Sequence, residues 1–532
     1  MAWLLALLLA LSALFRGFSI TSVPPELFGD EIDVGYQAFS LYQTGRDLYN
    51  QPFPTYLHSL SEWRMPALMY FTVPTIAAFG TSEVGVRLPQ VIFGSLAPLI
   101  LFLLVYHTTK SRSLSFLSAL SLALMPWHIH YSRVAFEVVI MLDAVMLGTL
   151  LYLNRRYTLS FILFSIGIYS YSTAILFVPL ILLTLFVFTR RRMPSIISLI
   201  LLPLLLVPLA YHIFVGSASD RFGIVSIFKN ADIVKAINED RSLEPISEGA
   251  IWHNKLESYS RLVLANYLRA YSSEFLFVRG DPTHRHSIQV IGQLLPITAP
   301  FILLGLYYLA KRRSWLWLMW FALAPVPSII TSDGGYHATR LFLEIPPLAV
   351  ATGAGIKAVA SLKPKLIYPF LLLLFTAYFS WVAHFYLIHY SRASWRWWHV
   401  GYKSALTKLH ELAPAYSRVF INNSYEPSLI RFLFYTAYSP KAFHRQFTLD
   451  QPIPDIAPNY DGFSLDGKYF FGNFQKDPWT ETLLPGAMYL VSQRDNVAGD
   501  WDWRTTPPKE VRVLHTSTNP YNQPLFYLIT RP

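Results

Sequence analysis

Cysteine is absent from this 532-residue chain. That removes disulfides, thiolate catalysis and zinc–sulfur sites from consideration. Charge is scarce: Asp, Glu, Lys and Arg make up 14% of the residues, against about 25% in soluble domains. The shortage is too deep for an ordinary soluble enzyme. The C-terminal tail shows no Gly-rich phosphate loop and no metal-ligand spacing, and the chain has no internal repeat. An outward-facing region of this size without cysteine fits a prokaryotic cell surface better than a eukaryotic lumen.

What the chain has instead is apolar length. Hydrophobic residues reach 53%, and many windows of about 20 residues carry almost no charge, the length needed to cross a bilayer. Eleven spans are expected, near 1–21, 86–106, 114–130, 135–153, 158–173, 174–189, 194–215, 288–310, 314–330, 337–356 and 366–388. The opening stretch, Met1 to Leu14, has no basic start, and no small-residue cleavage pattern follows it, so it reads as a retained first span rather than a signal peptide.

Alternate loops carry the positive charge: Lys110 and Arg112; Arg155 and Arg156; Arg190, Arg191 and Arg192; Lys311, Arg312 and Arg313; Lys357, Lys363 and Lys365. None of these loops contains Asp or Glu. The positive-inside rule makes that side the cytoplasm. The formal charge of +11 is therefore a topology signal, not a nucleic-acid footprint. The expected location is the plasma membrane, with the N-terminus cytoplasmic and the tail outside.

The outward side holds two long loops, about 22–85 and 216–287, and a tail from about 389. The first loop is acidic, with Glu26, Asp30, Glu31, Asp33, Asp47, Glu62 and Glu83 against Arg46 and Arg64. Ile32, Tyr36, Phe39 and Tyr42 recur at helical spacing and predict an amphipathic helix lying in the membrane interface. A second helix is expected from Ala67 to Phe79, just after Pro66. After the interfacial Trp395, Trp397 and Trp398, strand-like runs appear at Arg418–Ile421, Met488–Ser492, Val511–His515 and Leu525–Thr530, with helical runs near 401–412 and 427–437. The expected division is a membrane domain over 1–388 and a soluble α/β domain over 389–532.

Five polar clusters fall on the outer side. Asp30, Glu31 and Asp33 place three carboxylates in the run from Phe28 to Asp33; paired carboxylates supply a general base, a metal ligand or both. Asp30 also suits the cap of a helix beginning at Glu31. Arg64 follows Trp63 and precedes Met65 and Pro66, at headgroup level, where a cation can hold a phosphate or simply snorkel. A turn near Pro126 carries His128, His130, Arg133 and Glu137, with Arg133 and Glu137 four apart and able to pair. Farther along lies Asp143, within a span, where an ionisable group points to function by default. The run from Thr331 to Arg340 combines two glycines with His337 and Arg340, a layout for anions. Tyr171 lies in a fifth, smaller cluster, Tyr169 to Ser172. Accidents of structure would scatter over both faces.

The run Phe28–Leu41, Trp63-Arg64-Met65-Pro66 and Val86-Arg87-Leu88-Pro89 resemble the start of GT-C fold glycosyltransferases that use lipid-phosphate sugars, in the protein O-mannosyltransferase-like and aminoarabinose-transferase-like groups. Pro126–Glu137 and the His337–Arg340 turn look like a bacterial and archaeal branch of them. The resemblance covers about residues 20–390. It implies that Asp30 matches the catalytic base and Glu31 its neighbour, and that Arg64 stands near the donor phosphate. Relatives often carry Lys or His there, so that match is by role. Some members use a divalent ion and others do not. This chain lacks a separated Asp-x-Asp, and Glu31 and Asp33 are the residues that would stand in for one.

The implied chemistry is sugar transfer, with inversion, from a polyprenyl-phosphate carrier to an acceptor hydroxyl or amine on a protein, lipid or glycan. It needs a base, Asp30, and cations for the departing phosphate, Arg64, Arg133 and Arg340 with His337 in support. Two other classes stay open. A glycan flippase would favour midplane charges and internal repeats; a non-catalytic envelope scaffold would make no use of Asp30.

Overall fold

The computed structural model describes residues 2–59, 63–189, 194–215, 226–243, 246–446, 452–477, 479–495 and 501–532. Glu62 and the basic run Arg190, Arg191 and Arg192 lie outside the described residues.

A helix stands at each of the eleven apolar stretches. The first ten helices of the chain are α1 (Ala2–Gly17), α2 (Gly29–Thr44), α3 (Ala67–Phe79), α4 (Glu83–Thr109), α5 (Arg112–Ala123), α6 (Pro126–Tyr131), α7 (Val138–Leu153), α8 (Tyr157–Ser170), α9 (Thr173–Phe188) and α10 (Ile196–Phe214). Long apolar helices follow at Ala299–Lys311, Trp315–Leu323, Ile345–Ala360 and Pro364–His384. Among the described residues, three stretches are long and apolar enough to cross a membrane: Glu83–Thr109, Phe342–Ala360 and Lys365–Ser394. Shorter apolar helical stretches of 10–17 residues, among them Ser198–Phe214 and Trp315–Ile329, make up the rest. Pro89 and Pro98 sit inside α4, and Pro203 and Pro208 inside α10. The last long helix shows its apolar side chains to the surroundings: Leu366, Phe370, Leu372 and Leu373 are each more than half exposed. A bare apolar face of that extent fits a lipid environment.

Lys357 Nζ donates to Ser111 Oγ at 2.7 Å, and Trp317 Nε1 donates to Thr108 Oγ1 at 3.1 Å. The 110–112, 311–313 and 357–365 loops therefore gather at one end of the bundle.

The α2 helix departs from expectation. It starts at Gly29 with Phe28 as its cap, and no side chain caps it. Asp30 thus lies in the first turn, where an acid favours the helix dipole, rather than at the cap. Nor does α2 lie in an interface. Residues 31–38 are buried without a break, because the helix is wrapped by α3, α4 and the short helix Leu429–Tyr435. Gly35 shows how tightly: a Cβ there would meet Phe434 Cε2 at 2.5 Å and Val86 Cγ2 at 2.7 Å. Helix α3 begins after Pro66, where the sequence places it.

Beyond Trp398 the chain forms a seven-stranded mixed sheet. Its strands are β3 (Val419–Asn422), β4 (Ile453–Ala457), β5 (Tyr460–Leu465), β6 (Tyr469–Phe474), β7 (Met488–Ser492), β8 (Arg512–Thr518) and β9 (Pro524–Thr530), in the order β4-β5-β6-β3-β7-β9-β8. Only β3 pairs in parallel, with β6 and β7. The strand-like runs read from sequence fall on β3, β7, β8 and β9; the antiparallel β4–β5–β6 meander was not foreseen. Helices Tyr402–Leu412, Leu429–Tyr435 and Pro440–Gln446 join this sheet to the membrane part. At the seam, Glu26 accepts from the backbone N–H groups of Gly401 (2.9 Å) and Lys403 (3.2 Å), and Lys403 Nζ pairs with Glu83 Oε1 at 2.5 Å.

Candidate active site

The site is built around the first turn of α2 and a two-strand ladder, β1 (Leu57–His58) with β2 (Trp63–Arg64), which brings Arg64 to it. Arg64 Nη2 lies 2.6 Å from Asp30 Oδ1, Nε lies 3.4 Å from Asp33 Oδ2, and Nη1 lies 3.5 Å from Glu137 Oε1. The Arg64 side chain is 6% exposed and that of Asp30 48% exposed. The four residues form one charged knot from which Asp30 reaches the surface. Glu137 faces Arg64 and not Arg133, so the pairing expected from their spacing does not form.

Several sequence candidates turn away from this knot. Glu31 is fully buried and clamps Arg87 with both oxygens, at 2.8 Å to Nε and 2.9 Å to Nη2, while Oε1 also accepts from Ala135 N at 3.1 Å. Arg87 further donates to the carbonyls of Ile20, Pro24 and Glu26, which ties the start of the first loop to α4. Arg133 donates to the carbonyls of Phe15, Arg16 and Val23 and lies under Tyr386, 5.6 Å from the ring centre. It is an internal staple with no route to a ligand. His128 accepts at Nδ1 from Arg16 Nη2 at 2.8 Å and is fully buried. His130 bridges Tyr386 OH (2.8 Å) and the Arg285 carbonyl (2.7 Å). These four hold the site up rather than line it. A metal is poorly served too: Glu31 is taken by Arg87 and Asp33 faces Arg64. Among the described residues, no group of three or more His, Asp or Glu is arranged to hold an ion.

The loop at 331–340 does come near. Arg340 pairs with Asp333 and donates to Thr331 Oγ1 at 2.8 Å. His337 lies against His286, ring centres 5.3 Å apart and planes tilted by 41°. His286 Nδ1 is 3.0 Å from Tyr131 OH. Burial first, then Arg285, pushes His286 down to about 3; burial and Arg340 push His337 down to about 4. Both imidazoles are therefore neutral at pH 7, hydrogen-bonding groups rather than cations. Asp30 is close enough to act electrostatically on His286 and on His399. Tyr171 is half-buried and an electrostatic neighbour of Tyr131.

Sequence reasoning missed Arg285, which lies in the long second loop without a patterned neighbour. Its guanidinium sits 4.9 Å from the Phe28 ring centre and 6.0 Å from that of Trp397. Its Nε is buried without a hydrogen-bond partner, and among the described residues no carboxylate pairs with it. An acid-free arginine packed on Phe28, two residues before Asp30, is the cation the knot itself does not offer. The run Asp281 to Ser287 with its three basic residues was the available signal.

Two apolar chambers lie below. One, of about 250 Å³, is lined by Phe15, Phe18, Ile288, Phe379 and Tyr386 among others. The other, of about 470 Å³, runs deeper along Leu11, Leu117, Ile356 and Phe375. Phe15, Pro126 and Phe379 line both, so the two are neighbours that share a wall, and the smaller one reaches Tyr386 and Ile288, three residues from Arg285.

Known proteins share this architecture. ArnT from Cupriavidus metallidurans, bound to undecaprenyl phosphate, superposes with a TM-score of 0.54 at 12% identity, over 99% of this chain and 97% of that one. The chain has the GT-C fold. A family model described as dolichyl-phosphate-mannose-protein mannosyltransferase matches residues 64–213, which includes Arg64, Arg87, Arg133 and Glu137. The archaeal oligosaccharyltransferase AglB from Archaeoglobus fulgidus, in complex with an inhibitory peptide and a dolichol-phosphate, gives a TM-score of 0.47 at 14% identity. The match covers 82% of this chain and 63% of the AglB chain. No curated protein matches the sequence significantly. In this GT-C chain the first-loop acid and the Ile288 wall of the smaller cavity lie away from the end where the 110–112, 311–313 and 357–365 loops gather.

Proposed function

We propose that this GT-C protein transfers a sugar from a polyprenyl-phosphate carrier to an acceptor hydroxyl or amine at the outer face of a cell membrane, with inversion at the anomeric carbon. The observation that carries the reading is a juxtaposition. An apolar cavity reaches Ile288, three residues from Arg285, and the Arg285 guanidinium packs on Phe28, which heads the turn that carries Asp30. An amphiphile with a long apolar tail and a phosphate head fits that sequence of surfaces, with the tail in the cavity and the phosphate at Arg285.

In the proposed reaction the Asp30 carboxylate takes the proton of the acceptor. The acceptor atom bonds to the anomeric carbon as the bond from that carbon to the phosphate oxygen breaks. The electron pair leaves on polyprenyl phosphate, whose added charge Arg285 balances, with His286 and His337 as neutral donors. A phosphate is already a competent leaving group, so no separate acid is required. Arg64 holds Asp30, Asp33 and Glu137 in register and is a positioning residue. Arg340 is engaged by Asp333 and serves the phosphate through the fixed loop that bears His337.

The test is a panel of undecaprenyl- and dolichyl-phosphate sugars offered to the purified protein with candidate acceptors. Release of free polyprenyl phosphate coupled to acceptor glycosylation is expected for one donor. Failure to bind undecaprenyl phosphate and to turn over every donor would sink the reading; transbilayer movement without cleavage would favour a flippase and turn attention to Asp143.

A further inference from the structure

At the far end of α2 from Asp30 lies an open cleft of about 710 Å³, lined by Tyr42, Arg46, Phe53, Lys441, His444 and Arg445 among others. Two separate parts of the chain build it. The turn after α2 supplies Arg46 and Phe53; the helix Pro440–Gln446, at the edge of the sheet region, supplies Lys441 and Arg445. Nothing in the proposed transfer chemistry uses any of them.

The cleft is cationic and aromatic at once. Arg46, Lys441 and Arg445 are exposed, and among the described residues no carboxylate pairs with them. The nearest acid, Asp47, is turned inward: it is 1% exposed, and its carboxylate accepts from the backbone N–H groups of Tyr49 (2.9 Å) and Gln51 (2.8 Å). His444 donates from Nε2 to the Asp47 carbonyl at 2.7 Å, which ties the helix to the turn and fixes the width of the cleft. Tyr42 is 50% and Phe53 73% exposed. Phe53 is held at φ 40°, a backbone region that bulky residues avoid. Its ring lies over Gly45, where a Cβ would come within 3.2 Å of it. The turn is thus shaped to display an aromatic face beside three cations.

We propose that this cleft binds an acidic glycan: carboxylate-bearing sugar units pairing with Arg46, Lys441 and Arg445 while sugar rings lie against Tyr42 and Phe53. The amides of Gln43 and Asn50, which also line it, suit sugar hydroxyls. A concave site with fixed walls fits a discrete chain better than a flat bilayer surface. The cleft and Asp30 stand at opposite ends of a 16-residue helix, roughly 20 Å apart at a rise of about 1.5 Å per residue. We assign that glycan as the acceptor, whose reactive end must reach Asp30 around the structure that covers residues 31–38 of α2. This assignment of the acceptor rests on the transferase reading above.

The experiment uses full-length protein in detergent, with tetragalacturonate as the acidic probe, maltotetraose as its uncharged counterpart and undecaprenyl phosphate as the donor-side control. Wild type should bind tetragalacturonate, more weakly as ionic strength rises, and maltotetraose far less. The double variant Lys441→Gln/Arg445→Gln should lose at least about tenfold in tetragalacturonate affinity and keep its undecaprenyl phosphate affinity. Equal binding of tetragalacturonate to wild type and variant overturns the proposal. So does equal binding of the two sugars, or a variant that loses only its association with phosphatidylglycerol vesicles, which would make the cleft a membrane contact. Wild type that binds tetragalacturonate but not undecaprenyl phosphate leaves the glycan site standing and removes the transferase reading instead.

Discussion

Asp30 and Glu31 are neighbours of the same chemical type, and the structure separates them completely. Substituting each by its amide should give opposite results. Glu31 is enclosed with Arg87, two short charge-assisted hydrogen bonds joining them. The amide in Glu31→Gln keeps the shape and removes the charge, which leaves Arg87 buried without a counter-ion. Breaking a buried pair from one side costs about 3–5 kcal/mol, a large part of a typical folding free energy of about 5–15 kcal/mol. Asp30 is half exposed, and Arg64 keeps Asp33 and Glu137 when Asp30 is neutral. Loss of an exposed pair is worth about 1 kcal/mol or less. If Asp30 is the base, Asp30→Asn should cost about 10²–10⁴ in turnover with a nearly unchanged melting profile. The assay pairs detergent-solubilised thermal unfolding with donor turnover at saturating donor. Asp30→Asn with normal turnover, or Glu31→Gln with wild-type stability and no activity, would show the roles to be reversed and refute the reasoning.

Arg285→Gln should weaken undecaprenyl phosphate about ten- to a hundredfold, the loss of one charge-assisted contact of about 1.5–3 kcal/mol; Arg64→Gln should spare donor affinity to within a few-fold and lower turnover, because three carboxylates are left without their common cation, and Arg64→Lys should restore part of it. Glu26 is pushed up to about 7 from an ordinary value near 4.5, chiefly by burial at the seam. The folded state therefore holds a proton that the unfolded chain releases, so stability should fall by up to about 3 kcal/mol as pH rises from about 4.5 to about 7 and level off above; Glu26→Gln should flatten that slope in unfolding measured against pH. A cysteine placed at Ser332 should react with an impermeant maleimide on intact cells and one at Ser113 only after permeabilisation, both positions being exposed; labelling of both on intact cells would overturn the topology.

The sequence alone fixed where the apolar helices lie, because a run of about 20 uncharged residues is a local property that needs no partner to be read. It also marked Asp30, Arg64 and the 331–340 loop as neighbours in function, since each is polar at one end of an apolar helix. Strands β3, β7, β8 and β9 were legible from their apolar runs; β4 to β6 were not, because Gly462 and Gly472 interrupt the alternation that marks a strand. Charge partners were beyond the sequence's reach. Spacing put Arg133 with Glu137 on one helix face, yet α7 begins only at Val138, so the two are not on one helix and each pairs across the fold. Nothing local tells Asp30 from Glu31. Successive residues on a helix point about 100° apart, and only the packing of α4 against one side of α2 decided that Glu31 would meet Arg87 in the core while Asp30 faced Arg64 and the surface.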